Sequence, residues 1–395
     1  MANLFDYIKW RGDLSFKASP INQVDCAILA WLSYTEFDKY VPNEHSENAP
    51  SLKTVSGEFV KDHNIDEIIK KSVSFTKSSM IVLKDMAETN RYEGLIINDF
   101  ERVTNIDRKV QFAAMTFTTE NNETIVAFRG TDDTLVGWRE DFDMAFTDVI
   151  PAQKMAAEYL DKVAKLTKGD IYVCGHSKGG NLAIYSVLMA SKRIRNRVKH
   201  VYSYDGPGFY DSTDLGEAVE EVYAKTTAIV PDQSLVGMLL NYDKDYTVVP
   251  SVGRGGINQH DITTWQLLGT SFIKLPGLKP SSLALSKTIH NWLTSLDEMD
   301  REIFVDALFD VLMASDSQTL NDINSDAFGY AMSTLKTMNH LPKETRKFIR
   351  SIIQELIKQG GETIGETIKN EAEKLADKKK RNSRKVSKVL IDTPQ

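Results

Sequence analysis

Only two cysteines, Cys26 and Cys174, occur in the 395 residues. A disulfide framework therefore does not organise the fold, and a reducing compartment suits the chain. Long apolar runs are missing too. The longest, Cys26 to Leu32, falls far short of the ~18 residues that read as a membrane span. The opening residues MANLFDYIKWRGDLSF carry charges and lack the basic-then-apolar order of a signal peptide. The expected location is the cytoplasm, with any lipid contact peripheral. No Cys/His cluster has metal-ligand spacing. Gly253 to Gly256 lacks both the strand-then-helix setting and the Lys-Ser/Thr pair of a nucleotide loop. Neither a cofactor nor a metal is expected. The net charge is −7, so nothing general points to nucleic acid as a partner.

What the chain does have is 42% hydrophobic residues, ample for a core. Its length suits roughly two to three domains, or one large α/β domain with an appendage. To about residue 100 the pattern is mostly helical, and Val24, Ala27, Ile28, Trp31 and Leu32 share one helical stripe. Strands over 110–118 and 124–128 then form a hairpin, turned at Glu120 to Glu123. Beyond it, strands over 171–174, 199–204, 226–230 and 246–249 alternate with helices over 152–166 and 178–190 and near 215–223. That alternation predicts a mostly parallel sheet covered by helices. Residues 1–280 are expected to form this domain, with a helical N-terminal segment. Residues 281–377 read as a helical region, with Ile303, Phe304, Ala307, Leu308, Val311 and Leu312 on one stripe. Residues 378–395 are a basic tail, with seven Lys or Arg between Lys378 and Lys388. The tail reads as a solvated, disordered end, the commoner case, or as a contact for anionic lipid.

The segment Cys174-Gly175-His176-Ser177-Lys178-Gly179-Gly180 places Gly-x-Ser-x-Gly between a strand and a helix. A sharp turn there strains the serine backbone and lifts its hydroxyl clear of the sheet. Flanking glycines leave room for close backbone, and the helix start offers the Lys178 N–H to an oxyanion. A tight turn with a bystander serine is the plainer alternative.

Gly175 to Ala183 resembles the elbow of class 3, fungal-type lipases. Ile125-Val126-Ala127-Phe128-Arg129-Gly130-Thr131 resembles that family's second signature, with Trp138 and Asp141 or Asp143 following at familiar spacing. The chain resembles still more a group of lipase-like proteins from low-GC Gram-positive bacteria that carry a domain of unknown function. The likeness covers roughly residues 20–270 and implies an α/β-hydrolase fold. It implies that Thr131 gives a backbone N–H, and often its hydroxyl, to the oxyanion beside Lys178.

A serine hydroxyl needs a base. His45 and His63 precede the serine, against the usual order of serine, acid, histidine. His176 adjoins Ser177 and is expected to point elsewhere on the turn. His200 lies inside a strand, and His290 and His340 in the helical part. His260 remains, in a loop after the last strand of the domain, where the fold delivers its histidine. The acid must end a strand. The fold normally places it two strands after the elbow, which gives Asp232, and Ile229-Val230-Pro231-Asp232 resembles the lipase segment around the acid. Asp205, ending the intervening strand, is second choice; Asp243 and Asp245 read as solvated turn carboxylates.

The expected activity is hydrolysis of carboxylic esters, lipid or acylglycerol-like, through Ser177, His260 and Asp232. A lipase-fold binding or regulatory protein, an acyltransferase or a peptidase remain open alternatives. Lys178 departs from the lipase pattern, which is usually apolar there. It is expected to point from the first helical turn to solvent; the competing reading is a cation that favours anionic acyl substrates.

Overall fold

The structure, a computed structural model, describes residues 2–283 apart from 72–74, 133, 211–212, 235, 241–244, 254–255 and 281. Two of the first helices start with the same device. Asn3 caps α1 (Leu4–Arg11) and Asn22 caps α2 (Gln23–Leu32), each accepting backbone N–H groups of its helix. Asp6 and Asp25 close these boxes from the third helical position. Such a cap is worth ~1 kcal/mol. α2 is apolar almost all round and is buried from Val24 to Leu32. Its acid, Asp25, is tolerated because Arg91 lies 2.6 Å away and the Tyr7 and Tyr92 hydroxyls donate to the same carboxylate. Stranding either charge would cost ~3–5 kcal/mol. α3 (Leu52–Asp62), α4 (Ile65–Lys71) and α5 (Ser79–Ala87) complete the N-terminal helices.

Seven strands form one sheet in chain order: β1 (Ile96–Asn105), β2 (Val110–Thr118), β3 (Thr124–Phe128), β4 (Ile171–His176), β5 (Val198–Tyr204), β6 (Thr226–Pro231) and β7 (Tyr246–Val249). β1 to β3 pair antiparallel; β3 to β7 run parallel. α6 (Leu135–Asp143) and α7 (Pro151–Leu166) lead into β4. α8 (Lys178–Met189) and α9 (Lys192–Arg195) lead into β5, and α10 (Val219–Ala224) into β6. A short hairpin follows, β8 (Leu267–Leu268) with β9 (Ser271–Phe272).

The pleat divides alternate residues between two cores. Ile125, Ala127 and Cys174 join the N-terminal helices, while Val126, Phe128 and Val173 join α7 and α8. With both faces covered, β3 and β4 read as largely apolar runs. Register brings the strands' C-terminal ends level: Phe128 lies beside Gly175, His176 beside Tyr204, and Tyr204 beside Ile229. Thr131, Ser177, Asp205 and Asp232 therefore emerge along one rim, the rim where open α/β sheets hold ligands.

The mostly parallel, helix-covered sheet and the hairpin are those the sequence predicts. β1 is not. Its residues IINDFERVTN mix polar and apolar side chains on an edge, and a bulge between Asn98 and Glu101, with Asp99 at φ 54°, breaks the alternation. The helix expected near 215–223 shrinks to α10. α6, rich in charge, is a helix that the sequence pattern does not signal. Of the helical region expected over 281–377 only residues 282 and 283 are described, and the tail 378–395 lies outside the described residues.

Candidate active site

Ser177 sits between β4 and α8 at φ 59°, ψ −134°, a left-handed backbone for a residue with a side chain. Such strain costs on the order of 1–3 kcal/mol and persists only where surroundings impose it. Here the Ser177 N–H is held by the Tyr204 carbonyl at 2.9 Å, and the Ser177 carbonyl accepts from Gly180 N–H at 2.8 Å. The glycines are forced by crowding. A Cβ on Gly175 would come within 2.0 Å of the Gly179 carbonyl oxygen, and one on Gly179 within 2.2 Å of the Phe128 oxygen.

The next strand end presses on the same turn. A Cβ on Gly130 would sit 2.5 Å from the His176 carbonyl oxygen and 2.8 Å from Ser177 Cβ. Thr131 follows, buried, and its Oγ1 donates to Asp141, whose two oxygens lie 2.7 and 2.6 Å away. The hydroxyl has one proton and spends it on that carboxylate. That proton is therefore not available for the hydroxyl role that the lipase likeness adds to Thr131. Burial pushes the Asp141 carboxyl up to about 6, against the opposing pull of Lys178 and the Thr131 hydrogen bond.

Lys178 contradicts the solvent-facing expectation. Its side chain is buried, and Nζ contacts Glu140 Oε2 at 2.7 Å and Gln111 Oε1 and carbonyl oxygen at 2.9 Å each. Three acceptors satisfy the three ammonium protons, so none is left for an anionic substrate. An exposed lysine would need only water; this one turns inward because Glu140, itself buried, supplies its counter-charge.

His260 is carried to the turn by a pinned loop. The Gln259 side chain accepts Gln233 N–H at 2.8 Å, and the Gln259 carbonyl accepts Trp265 Nε1–H at 2.7 Å. His260 is buried, with its ring 4.4 Å from that of His176, the residue before the serine. Its Nδ1 donates to Asp205 Oδ2 at 2.6 Å. That bond fixes the tautomer and makes Nε2 the basic nitrogen.

The carboxylate on His260 is thus Asp205, not Asp232. Asp205 follows β5, one strand after the elbow, at φ 48°, and its Oδ1 accepts Ser234 Oγ–H at 2.5 Å and Gly237 N–H at 3.1 Å. Asp232, one strand further, turns away to Lys279, with Oδ2 2.9 Å from Nζ, and its backbone also holds Lys279 and Val249. Its neighbours serve the site instead: Gln233 braces Gln259, and Ser234 braces Asp205. The sequence signal for Asp205 was Gly206-Pro207-Gly208 directly after it. A Cβ on Gly206 would lie 2.9 Å from Gly180 Cα, so this strand end packs against the elbow helix. Asp245 is exposed, and Asp243 lies outside the described residues.

His176, expected to point elsewhere on the turn, is buried, and its two ring nitrogens meet Tyr34 and the His260 backbone. Its Nε2 lies 2.8 Å from the His260 carbonyl, which can only accept, so Nε2 carries the proton. Nδ1 then accepts from the Tyr34 hydroxyl at 2.9 Å. Burial holds this imidazole well below its usual range, with His260 nearby adding to the effect. Among the described residues no group of three or more His, Cys, Asp or Glu is gathered as a metal site would be, and no helix is long and apolar enough to cross a membrane.

A strained serine at a strand-to-helix turn, on the C-terminal rim of a mostly parallel sheet, defines a lipase-like α/β-hydrolase fold. The chain belongs to the Mbeg1-like family, whose model matches residues 86–310. Solved structures similar to it include three lipases. The Rhizomucor miehei lipase propeptide complex is 15% identical, over 39% of this chain and 57% of that one, with a TM-score of 0.30. M37 lipase is 13% identical, over 55% and 68%, with a TM-score of 0.32. Lipase II from Rhizopus niveus is 13% identical, over 60% and 92%, with a TM-score of 0.32. The chain thus spans less than two thirds of the Rhizomucor miehei structure. No curated protein matches the sequence.

Proposed function

We propose that this protein hydrolyses carboxylic esters through an acyl-serine intermediate. The observation that carries the reading is the 2.6 Å contact of Asp205 with His260, whose ring lies 4.4 Å from that of His176, the residue before a serine held at φ 59°. In the reaction, Ser177 Oγ attacks the ester carbonyl carbon while His260 Nε2 takes its proton. Asp205 orients the imidazole and steadies its positive charge. The carbonyl oxygen becomes an oxyanion held by the N–H groups of Thr131 and Lys178. The C–O bond to the alcohol breaks, and His260 returns the proton to the departing alkoxide. Water, deprotonated by His260, then releases the acid and restores Ser177. Each oxyanion donor is worth ~10²–10³ in turnover.

Lipid or acylglycerol-like esters are the proposed substrates, a choice supported by the likeness of Gly175 to Ala183 and Ile125 to Thr131 to lipase motifs. The cytoplasm is the proposed location, supported by the two reduced cysteines, both buried. Contact of residues 378–395 with anionic lipid is proposed with it; flotation with phosphatidylserine vesicles, equal for the full chain and a form ending at residue 377, would refute tail-driven binding. The activity itself is tested with a panel of p-nitrophenyl and glyceryl esters, amides and acyl acceptors. Ester turnover that vanishes in Ser177→Ala is the expected result. Turnover unchanged by that substitution, or none with any ester, refutes the hydrolase reading; the second outcome favours a binding protein.

A further inference from the structure

Lys178 and Thr131, which supply the two proposed oxyanion amides, lie on different elements, yet one chain of side-chain contacts joins them. Lys178 Nζ holds Glu140 Oε2 at 2.7 Å. The same Glu140 accepts the backbone N–H of Gln111 at 3.1 Å and of Ala152 at 3.0 Å, so it ties α6 to the start of β2 and to the first turn of α7. Asp141, the next residue of α6, holds the Thr131 hydroxyl with both oxygens. Gly137 of α6 packs on Thr131 as well; a Cβ there would come within 2.9 Å of Thr131 Cγ2. α6 thus faces the serine helix with Glu140 and the oxyanion strand end with Asp141.

Stability alone gives no reason for charge at this place. Both side chains of the pair are almost wholly buried, at 1% and 0% exposure. A buried ion pair of this kind is often matched or bettered by apolar residues of the same volume. What it supplies is direction: a saturated ammonium fixes where Glu140 lies, and so where Asp141 lies.

We propose that the Lys178–Glu140 ion pair is a positioning device for the oxyanion hole, acting through Asp141 to set the place of Thr131. The inference rests on the hydrolase reading above. Neither side chain touches the reacting atoms; the pair acts on the Thr131 amide at one remove. A misplacement on the order of 1 Å at a reacting centre can cost ~10²-fold in rate.

A coupling experiment on the full chain tests it. Lys178→Met with Glu140→Gln neutralises both partners of the pair. Thr131→Val keeps the Thr131 amide and removes the hydroxyl that Asp141 holds. The expected result with p-nitrophenyl butyrate is a fall in kcat on the order of 10–100-fold at unchanged KM for the neutral pair. In the Thr131→Val background the same neutral pair then causes no further fall. If the neutral pair keeps wild-type kcat, or if the two losses multiply in the triple variant, the positioning role is overturned while the hydrolase reading stands. If wild-type protein hydrolyses no ester, the hydrolase reading falls and takes this inference with it. Should the neutral pair not fold, Glu140→Asp, which keeps both charges and shortens the reach of the carboxylate, carries the same test with the same two outcomes.

Discussion

Oδ2 of Asp205 lies 2.6 Å from Nδ1 of His260, across 55 positions of sequence. The same carboxylate is held by Ser234 and by the Gly237 amide, so its position does not depend on His260 alone. Asp205→Asn is therefore expected to leave the fold intact and lower kcat by ~10³–10⁴-fold, because the wrong imidazole tautomer is then favoured. Asp232→Asn should leave kcat near wild type and cost at most ~1 kcal/mol, since its Lys279 partner is half exposed. Steady-state kinetics on both variants decide the matter; equal losses would return Asp232 to the triad.

His176 gives a prediction about acid stability. The folded protein keeps this imidazole neutral well below 6.5, its ordinary value, while the unfolded chain takes up a proton there. The unfolded state binds more protons, so stability is present above pH ~6.5 and is lost as pH falls below it, by up to ~1.4 kcal/mol per unit. His176→Gln should flatten that slope in urea melts between pH 4 and 7. A variant that keeps the wild-type slope would show that His176 is not the group responsible.

Asp141 works with the opposite sign. Its carboxyl is raised from 3.8 to about 6, so the folded state keeps a proton that the unfolded chain gives up. Stability from this group is full below pH ~4 and falls as pH rises through 6, by ~1–2 kcal/mol with a quarter of the side chain open to solvent. Asp141→Asn should remove this decline. His176 and Asp141 oppose each other over the same range, so each is read as wild type minus variant, and an Asn variant whose difference curve is flat would contradict the assignment.

A substrate-charge test follows from the Lys178 contacts. With its three protons taken by Glu140 and Gln111, the ammonium cannot select for anionic acyl groups. Lys178→Met should lower kcat/KM for neutral and succinyl-type esters by the same factor. A loss confined to the anionic ester would restore a direct substrate contact.

The fold was legible because its signals are local. Apolar runs bounded by turns gave β2 to β7, and Gly175, Ser177 and Gly179 gave the elbow. β1 escaped because an edge strand with a bulge has no clean alternation. The partner of His260 escaped for another reason. Asp205 and Asp232 both end buried strands, and which one turns toward His260 is decided by Ser234, Gly237 and Lys279, residues distant from the motif. The inward turn of Lys178 was hidden likewise, since its partners Glu140 and Gln111 lie 38 and 67 positions away. Local pattern fixes elements; pairing of polar groups across elements is a property of the assembled rim.

The central claim is that Ser177 is a nucleophile activated by His260, which Asp205 orients. Reaction with a fluorophosphonate, followed by peptide mass spectrometry, tests it most directly. The account predicts one adduct, on Ser177, absent in Ser177→Ala, formed far more slowly in His260→Ala and Asp205→Asn, and at wild-type rate in Asp232→Asn. An adduct on another residue, or a Ser177 that stays unlabelled in the folded wild-type protein, would contradict it.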